Sequence, residues 1–293
     1  MKSRTLGPEH VVGTPGGYLY ESPLWDYRRS VFAWVDIEAG DVYELDDKTG
    51  VTRVHRLGQT VAAVGLRAGG GYVLALGSAI AVVDADFTSL DVIHRFAFPD
   101  DVRFNDAAVS PDGAYWAGTL SHDRPGVGEL YRIGPDGSVT SMLDGASISN
   151  GLDWDEDGTH YWVDSGPGTV DIVRSDSTDN GWKITGREQL FSSEPGVSPD
   201  GLKVDAEGGV WVALWGGSSV IRLNPAGEAV EEIHVPAPHT SSLAFGGPDL
   251  RDLYITTARE DLNEEALRAA PWSGSVFRCR ADVAGRHAHE FLG

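Results

Sequence analysis

Cysteine is almost absent from this chain: Cys279 stands alone among 293 residues. A single thiol excludes a disulfide within the chain and any cysteine-based zinc centre. Cys279 is expected to behave as a small buried apolar side chain, and a lone thiol suits a cytoplasmic protein. Basic residues are also scarce, 23 Lys and Arg against 44 Asp and Glu, for a net charge of −21. That balance opposes binding to nucleic acid or to an anionic membrane, where phosphates demand cations. A neutral or cationic ligand, or a bound metal ion, remains compatible with it. No apolar run approaches the roughly 20 residues that span a bilayer. The opening "MKSRTLGPEHVVG" has a basic start without an apolar segment behind it, so no secretory signal is expected. There is no G-x-S-x-G elbow and no Walker-type glycine loop, which argues against a serine triad and a nucleotide phosphate site.

Helical periodicity is scarce as well. "EDLNEEALRAA", residues 260–270, is the one good helix candidate, and it stops at Pro271. Elsewhere short apolar runs dominate: "VFAWVDI", "GYVLALG", "AYWAG", "HYWVDS", "GVWVALW" and "DLYITTA". Each follows a turn signal such as "SPDGA" or "DAEGG", and each leads into further strand and turn text such as "GELYRIGPDGSVTSML". The turns recur at roughly 45 residues, the period of a propeller blade. Four short strands per unit and six units predict an all-β, six-bladed β-propeller of antiparallel blades spanning 1–293 as a single domain. The segment before residue 20 is expected to supply the outer strand that closes the last blade.

The first strand of a propeller blade lines the central channel. Glu21 in "YESPLWD", Asn150 in "SISNGLDWD" and Asp200 in "SPDGLKVD" each stand shortly before a half-apolar strand, at places that look equivalent. Any one of them could be bonding turn backbone, as Asn and Asp often do. Three at one repeat position are instead expected to converge near the axis. Two carboxylates crowded in a channel of lowered dielectric repel, and a divalent cation removes that penalty. Oxygen donors fit calcium, magnesium, manganese, zinc or ferrous iron.

At these residues the chain resembles the regucalcin/gluconolactonase family of six-bladed propellers, the sugar lactone lactonohydrolases. The resemblance rests on "ESPLWD" (21–26), "RFNDAAVSPDGAYWAGTL" (103–120), "SNGLDWDEDGTHYWVDS" (149–165), "PDGLKVDAEGGVWVALWGG" (199–217) and "FGGPDLRDLYITTA" (245–258), in family order. It implies that Glu21, Asn150 and Asp200 hold one divalent metal, and that Arg103 and Asn105 contact the oxygens of a sugar lactone. It also implies that Asp200 doubles as general base. Asp123 stands where family members often carry Glu, and its shorter side chain weakens that substrate contact. The implied reaction is metal-dependent hydrolysis of an aldonolactone, such as glucono- or xylonolactone, with the cation polarising the carbonyl and making water more acidic. Arg103 offers a planar fork of donors and Asn105 both donates and accepts, which suits a polyol.

Two rival functions keep the propeller and the metal: hydrolysis of an aryl ester, another lactone or an organophosphate, and a non-enzymatic calcium-binding role. Within "RFND", Phe104 is expected in the core and Asp106 bonded to turn backbone. Trp25 and Trp215 are candidates to line the mouth. "DWDEDGTHYWVD" (153–164) matches the start of a calcium loop, but its strand-like flanks make it a blade turn. "HAHEF" near residue 290 is expected to be a solvated last strand.

Overall fold

The structure, a computed structural model, describes residues 1–13, 15–178 and 181–293. Six small, mainly antiparallel sheets stand in a ring, the expected six-bladed propeller. The blades, numbered along the chain, have inner strands Tyr20–Asp26, Val61–Arg67, Arg103–Val109, Ser149–Trp154, Ser198–Val204 and Thr240–Gly246. Their second strands are Val31–Asp36, Tyr72–Leu76, Tyr115–Leu120, His160–Asp164, Val210–Trp215 and Asp252–Thr257.

The conspicuous apolar runs are these second strands. Each carries an aromatic of under 3% exposure (Trp34, Tyr72, Trp116, Trp162, Trp211 and Tyr254) wedged between blades. A strand covered on both faces reads as continuous hydrophobic text, whereas an inner strand gives one face to the channel and reads as mixed. The tight links obey their turn chemistry. At "SPDGA" the Gly113 N–H donates to the Ser110 carbonyl at 2.9 Å, with Gly113 at φ +78°, a conformation that favours glycine. The calcium-like loop is such a turn: Asp155 Oδ1 accepts the Thr159 N–H at 2.7 Å between two antiparallel strands. The expected helix is shorter than its sequence pattern, Glu264–Ala269, with Asn263 as its N-cap.

Closure uses both ends of the chain. Val11–Val12 pairs antiparallel with Phe277 and Val276, completing blade six as expected. Lys2–Thr5 continues onto blade five instead, parallel to its outer strand. The "HAHEF" segment departs from the sequence reading. Glu290–Phe291 pairs parallel with the inner strand of blade two, capping an edge that would otherwise be open to the channel. Around it, residues 284–292 cross the mouth opposite the starts of the inner strands and touch every blade. Ala206 N–H donates to Ala284 O (blade five), Gly285 N–H to Leu250 O (six), and Arg286 Nη2 to Trp154 O (four). Tyr27 Oη donates to Glu290 (one), Ala68 N–H to Phe291 O (two), and Leu292 N–H to Gly113 O (three). Phe291 is 1% exposed and packs beside Tyr115, because its ring finds there the apolar cover that solvent would deny it.

Phe291→Ala should therefore cost about 3–5 kcal/mol of stability, seen as a lowered denaturant midpoint. An unchanged midpoint would mean that the strap does not hold the ring.

Candidate functional site

All six inner strands slip register near their start. The slips fall between Glu21 and Leu24, Val61 and Ala63, Phe104 and Ala107, Ser149 and Leu152, Pro199 and Leu202, and Thr240 and Ser242. A bulge re-aims the residues it contains, and here it does so at one end of the channel in every blade. Counting back from the first residue after each slip puts Asn105, Asn150 and Asp200 at one position, together with Ser22. Glu21 lies one residue earlier, so the equivalence read from the sequence is corrected: Asn105 belongs to the matched set and Glu21 does not. The functional residues also lie inside the inner strands rather than ahead of them.

Local backbone explains how Glu21 still joins the group. Ser22 has φ +47°, a left-handed conformation rare for a residue with a side chain. Its N–H donates to Glu21 Oε2 at 3.0 Å, and its Oγ accepts the Val64 N–H at 3.0 Å. The glycines after Asn150 and Asp200 are not turn residues. A Cβ on Gly201 would lie 1.9 Å from Ser242 Oγ, and one on Gly151 would lie 2.4 Å from Leu202 N. Neighbouring inner strands approach so closely here that only glycine fits.

Glu21, Asp106, Asn150 and Asp200 are all buried. Burial pushes the Glu21 carboxyl up to about 8, and the Asp106 charge adds to the shift. Asp200 is raised well above the ordinary carboxylate range, first by burial, then by Glu21 and Asp106. Burial also raises Asp106, against the pull of Lys203. Asp106 was read as bonding turn backbone. It does accept the Ala107 N–H at 2.7 Å, but within the bulge, and its charge reaches both Glu21 and Asp200. It is the functional candidate that sequence reasoning undervalued. Its place directly after Asn105 in a strand that bulges was the available signal.

The donor set fits a cation. Asn150 Nδ2 donates to Ser165 Oγ at 3.0 Å, and that hydroxyl donates to Pro199 O at 2.7 Å, which fixes the amide. Asn150 Oδ1 and Asp200 Oδ1 are left buried without hydrogen-bond partners, an expensive state unless an ion or water completes it. Among the described residues no three His, Cys, Asp or Glu side chains are spaced to hold an ion by themselves, so a centre here needs the Asn150 amide oxygen. Behind the carboxylates a cavity of ≈ 100 Å³, lined in part by Ser22, Asp106, Lys203, Ser242 and His289, separates them from the strap.

The other expected site residues divide. Arg103 opens the inner strand of blade three and donates from Nη1 to Phe104 O at 2.9 Å and to Asn105 Oδ1 at 3.1 Å. Asn105 Nδ2 donates to Ser149 O at 3.1 Å, tying blade three to blade four. Asp123 stays exposed on the loop after Leu120 and is not drawn into the buried group. Trp215 stands at the mouth, stacked on His239 at 4.1 Å. Trp25 does not: it is buried at the far end of its strand, stacked on Tyr254 at 6.3 Å. Phe104 is in the core, and burial raises the Cys279 thiol to about 11, which disfavours the thiolate.

Residues 19–259 match the family model "SMP-30/Gluconolactonase/LRE-like region". The chain is 36% identical to regucalcin of Gallus gallus, covering 96% of this chain and 97% of that protein. It is 36% identical to the 6-deoxy-6-sulfogluconolactonase of Pseudomonas putida, covering 94% and 95%. The crystal structure of regucalcin from Agrobacterium tumefaciens, described as a calcium-binding protein, superposes with a TM-score of 0.91 at 28% identity, over 99% of both chains.

A pH dependence follows for the metal-free protein. Glu21 and Asp200 bind protons more tightly when folded than when unfolded, so their contribution is fully present at low pH. It declines as pH rises from the ordinary carboxylate range, about 4, through about 8 for Glu21. Thermal melts of chelated protein should therefore fall over that interval. A divalent cation at about 100 times its Kd should restore about 2.7 kcal/mol.

Proposed function

The chain belongs to the SMP-30/gluconolactonase/LRE-like family, and from that premise we propose that it hydrolyses a sugar lactone of the aldonolactone type, such as glucono- or xylonolactone, to the aldonic acid. The observation that carries this reading is the pair of partnerless buried oxygens, Asn150 Oδ1 and Asp200 Oδ1, beside the Glu21 carboxylate and below Arg103. Glu21, Asn150 and Asp200 would hold one divalent cation. Their oxygens suit calcium, magnesium, manganese, zinc or ferrous iron alike. When bound, such a cation supplies Lewis-acid polarisation of the carbonyl and a more acidic water.

The chain's own residues account for the rest. Arg103 and Asn105 hold hydroxyl and ring oxygens of the lactone at the mouth, with Asp123 available from its loop. Asp200 accepts a proton from the attacking water as oxygen adds to the carbonyl carbon. The ring C–O bond then breaks, the alkoxide leaving group takes up a proton, and the product is released as a carboxylate. The polar mouth, with Arg103, Glu38, Glu260 and His239 around Trp215, supports a polyol over an aryl ester or organophosphate. The strap over the other mouth supports entry from the Arg103 side, with 1–293 acting as one unit.

Excess chelator should abolish release of acid from glucono-1,5-lactone, and a divalent cation should bring it back. An unchanged rate under chelation would remove the metal mechanism. Asp200→Ala should lower kcat/KM by at least about 10²-fold. If the parent protein is stabilised by calcium, loses that response in Asp200→Ala and never turns over a lactone, the non-enzymatic calcium-binding reading holds instead.

A further inference from the structure

Arg103 is the cation that faces the proposed lactone, and most of its guanidinium is already engaged. Nε lies 3.3 Å from Glu38 Oε1, and Nη1 serves Phe104 O and Asn105 Oδ1. Among the described residues, Nη2 alone has no partner. A free guanidinium would present two parallel donors to a sulfonate, phosphate or carboxylate. Glu38 is ion-paired with Nε, so an anion would have to compete with that carboxylate for the fork, while the two N–H groups of Nη2 remain for a hydroxyl.

The surrounding charge points the same way. Glu38 sits on the loop between Val31–Asp36 and Asp41–Asp46, on the side where the inner strands begin. Glu260 lies beyond the second strand of blade six on that same side, fixed by its N–H to Tyr18 O at 3.1 Å and by its carbonyl on His239 Nδ1 at 2.9 Å. Both carboxylates act on Arg103, and Asp261 and Asp36 add negative charge around Glu260. The next cation at this mouth, Arg124, is held by Asp101 through two hydrogen bonds of 2.7 Å. Arg259 lies against Gly16 and Gly274, beside the outer part of blade six. An anionic substituent entering beside Arg103 would meet the charges of Glu38 and Glu260.

We infer that Glu38 and Glu260 act as a charge filter, so that this chain takes lactones whose substituents are uncharged and rejects those bearing a sulfonate, phosphate or carboxylate group. The inference rests on the lactonase reading above and narrows it. It separates this chain from the relative whose name specifies a sulfonated gluconolactone. Glu38 and Glu260 are specificity residues acting through Arg103 and through the field of the mouth.

The test compares glucono-1,5-lactone with 6-deoxy-6-sulfoglucono-1,5-lactone, which share the reacting ring. The parent protein should favour the neutral substrate by about 100-fold or more in kcat/KM, since like charges in a confined site repel strongly. That ratio should shrink as salt screens the mouth. Glu38→Gln should lower the ratio about 10-fold, chiefly through KM for the sulfonated substrate, and Glu260→Gln should act in the same direction. Hydrolysis of the sulfonated lactone at the neutral rate overturns the filter alone, as does a ratio that neither variant moves. Failure to hydrolyse either lactone, with divalent cation present, overturns the lactonase reading and the filter with it.

Discussion

Glu21, Asp106 and Asp200 lie buried together at the axis of the ring, close enough for each to feel the charge of the others. Left to itself such a group would move apart, take up protons or draw in water. It is held by what surrounds it. Interblade aromatics fix the six sheets against each other, and the strap from 284 to 292 ties all six together on the far side. A rigid ring makes the cluster permanent, and a permanent cluster of oxygens is what a divalent cation stabilises.

One backbone device serves all six blades. A one-residue slip near the start of each inner strand turns side chains toward the channel, and the chain then varies what it places there. Blades three, four and five place Asn105, Asn150 and Asp200 at the same point. Blade one reaches the centre from a different position, through Glu21 and a left-handed Ser22. The symmetry belongs to the backbone and the variety to the side chains it carries. That separation lets a ring of similar units build a site that has no symmetry.

Depth divides the labour in the channel. At the bottom, burial dominates and raises the carboxyls of Glu21, Asp106 and Asp200. At the mouth, solvent is near, and Arg103 is balanced by Glu38 at 3.3 Å. Part of the net charge of −21 thus frames this opening, where Glu38 and Glu260 both act on Arg103.

Much of this was legible in the text of the chain. The blade count followed from apolar runs that are continuous because second strands are covered on both faces. Arg103, Asn105, Asn150, Asp200 and Glu21 stood out because polar residues beside apolar strands need a reason to be there. Other features depend on distance in space, which the order of residues does not carry. Asp106 reads like any residue satisfying its neighbour's N–H until Glu21 and Asp200 arrive from other blades. The need for glycine at 151 and 201 arises only when the adjacent inner strand closes to within a side chain's width. "HAHEF" reads as a solvated end until the edge of blade two and the Tyr115 pocket receive it. Glu38 and Glu260, 222 positions apart in the numbering, share Arg103 only because the ring closes. Local periodicity determined the strands and their repeat; the tertiary structure decided which charges meet, because only closure of the ring sets the distances on which electrostatics depends.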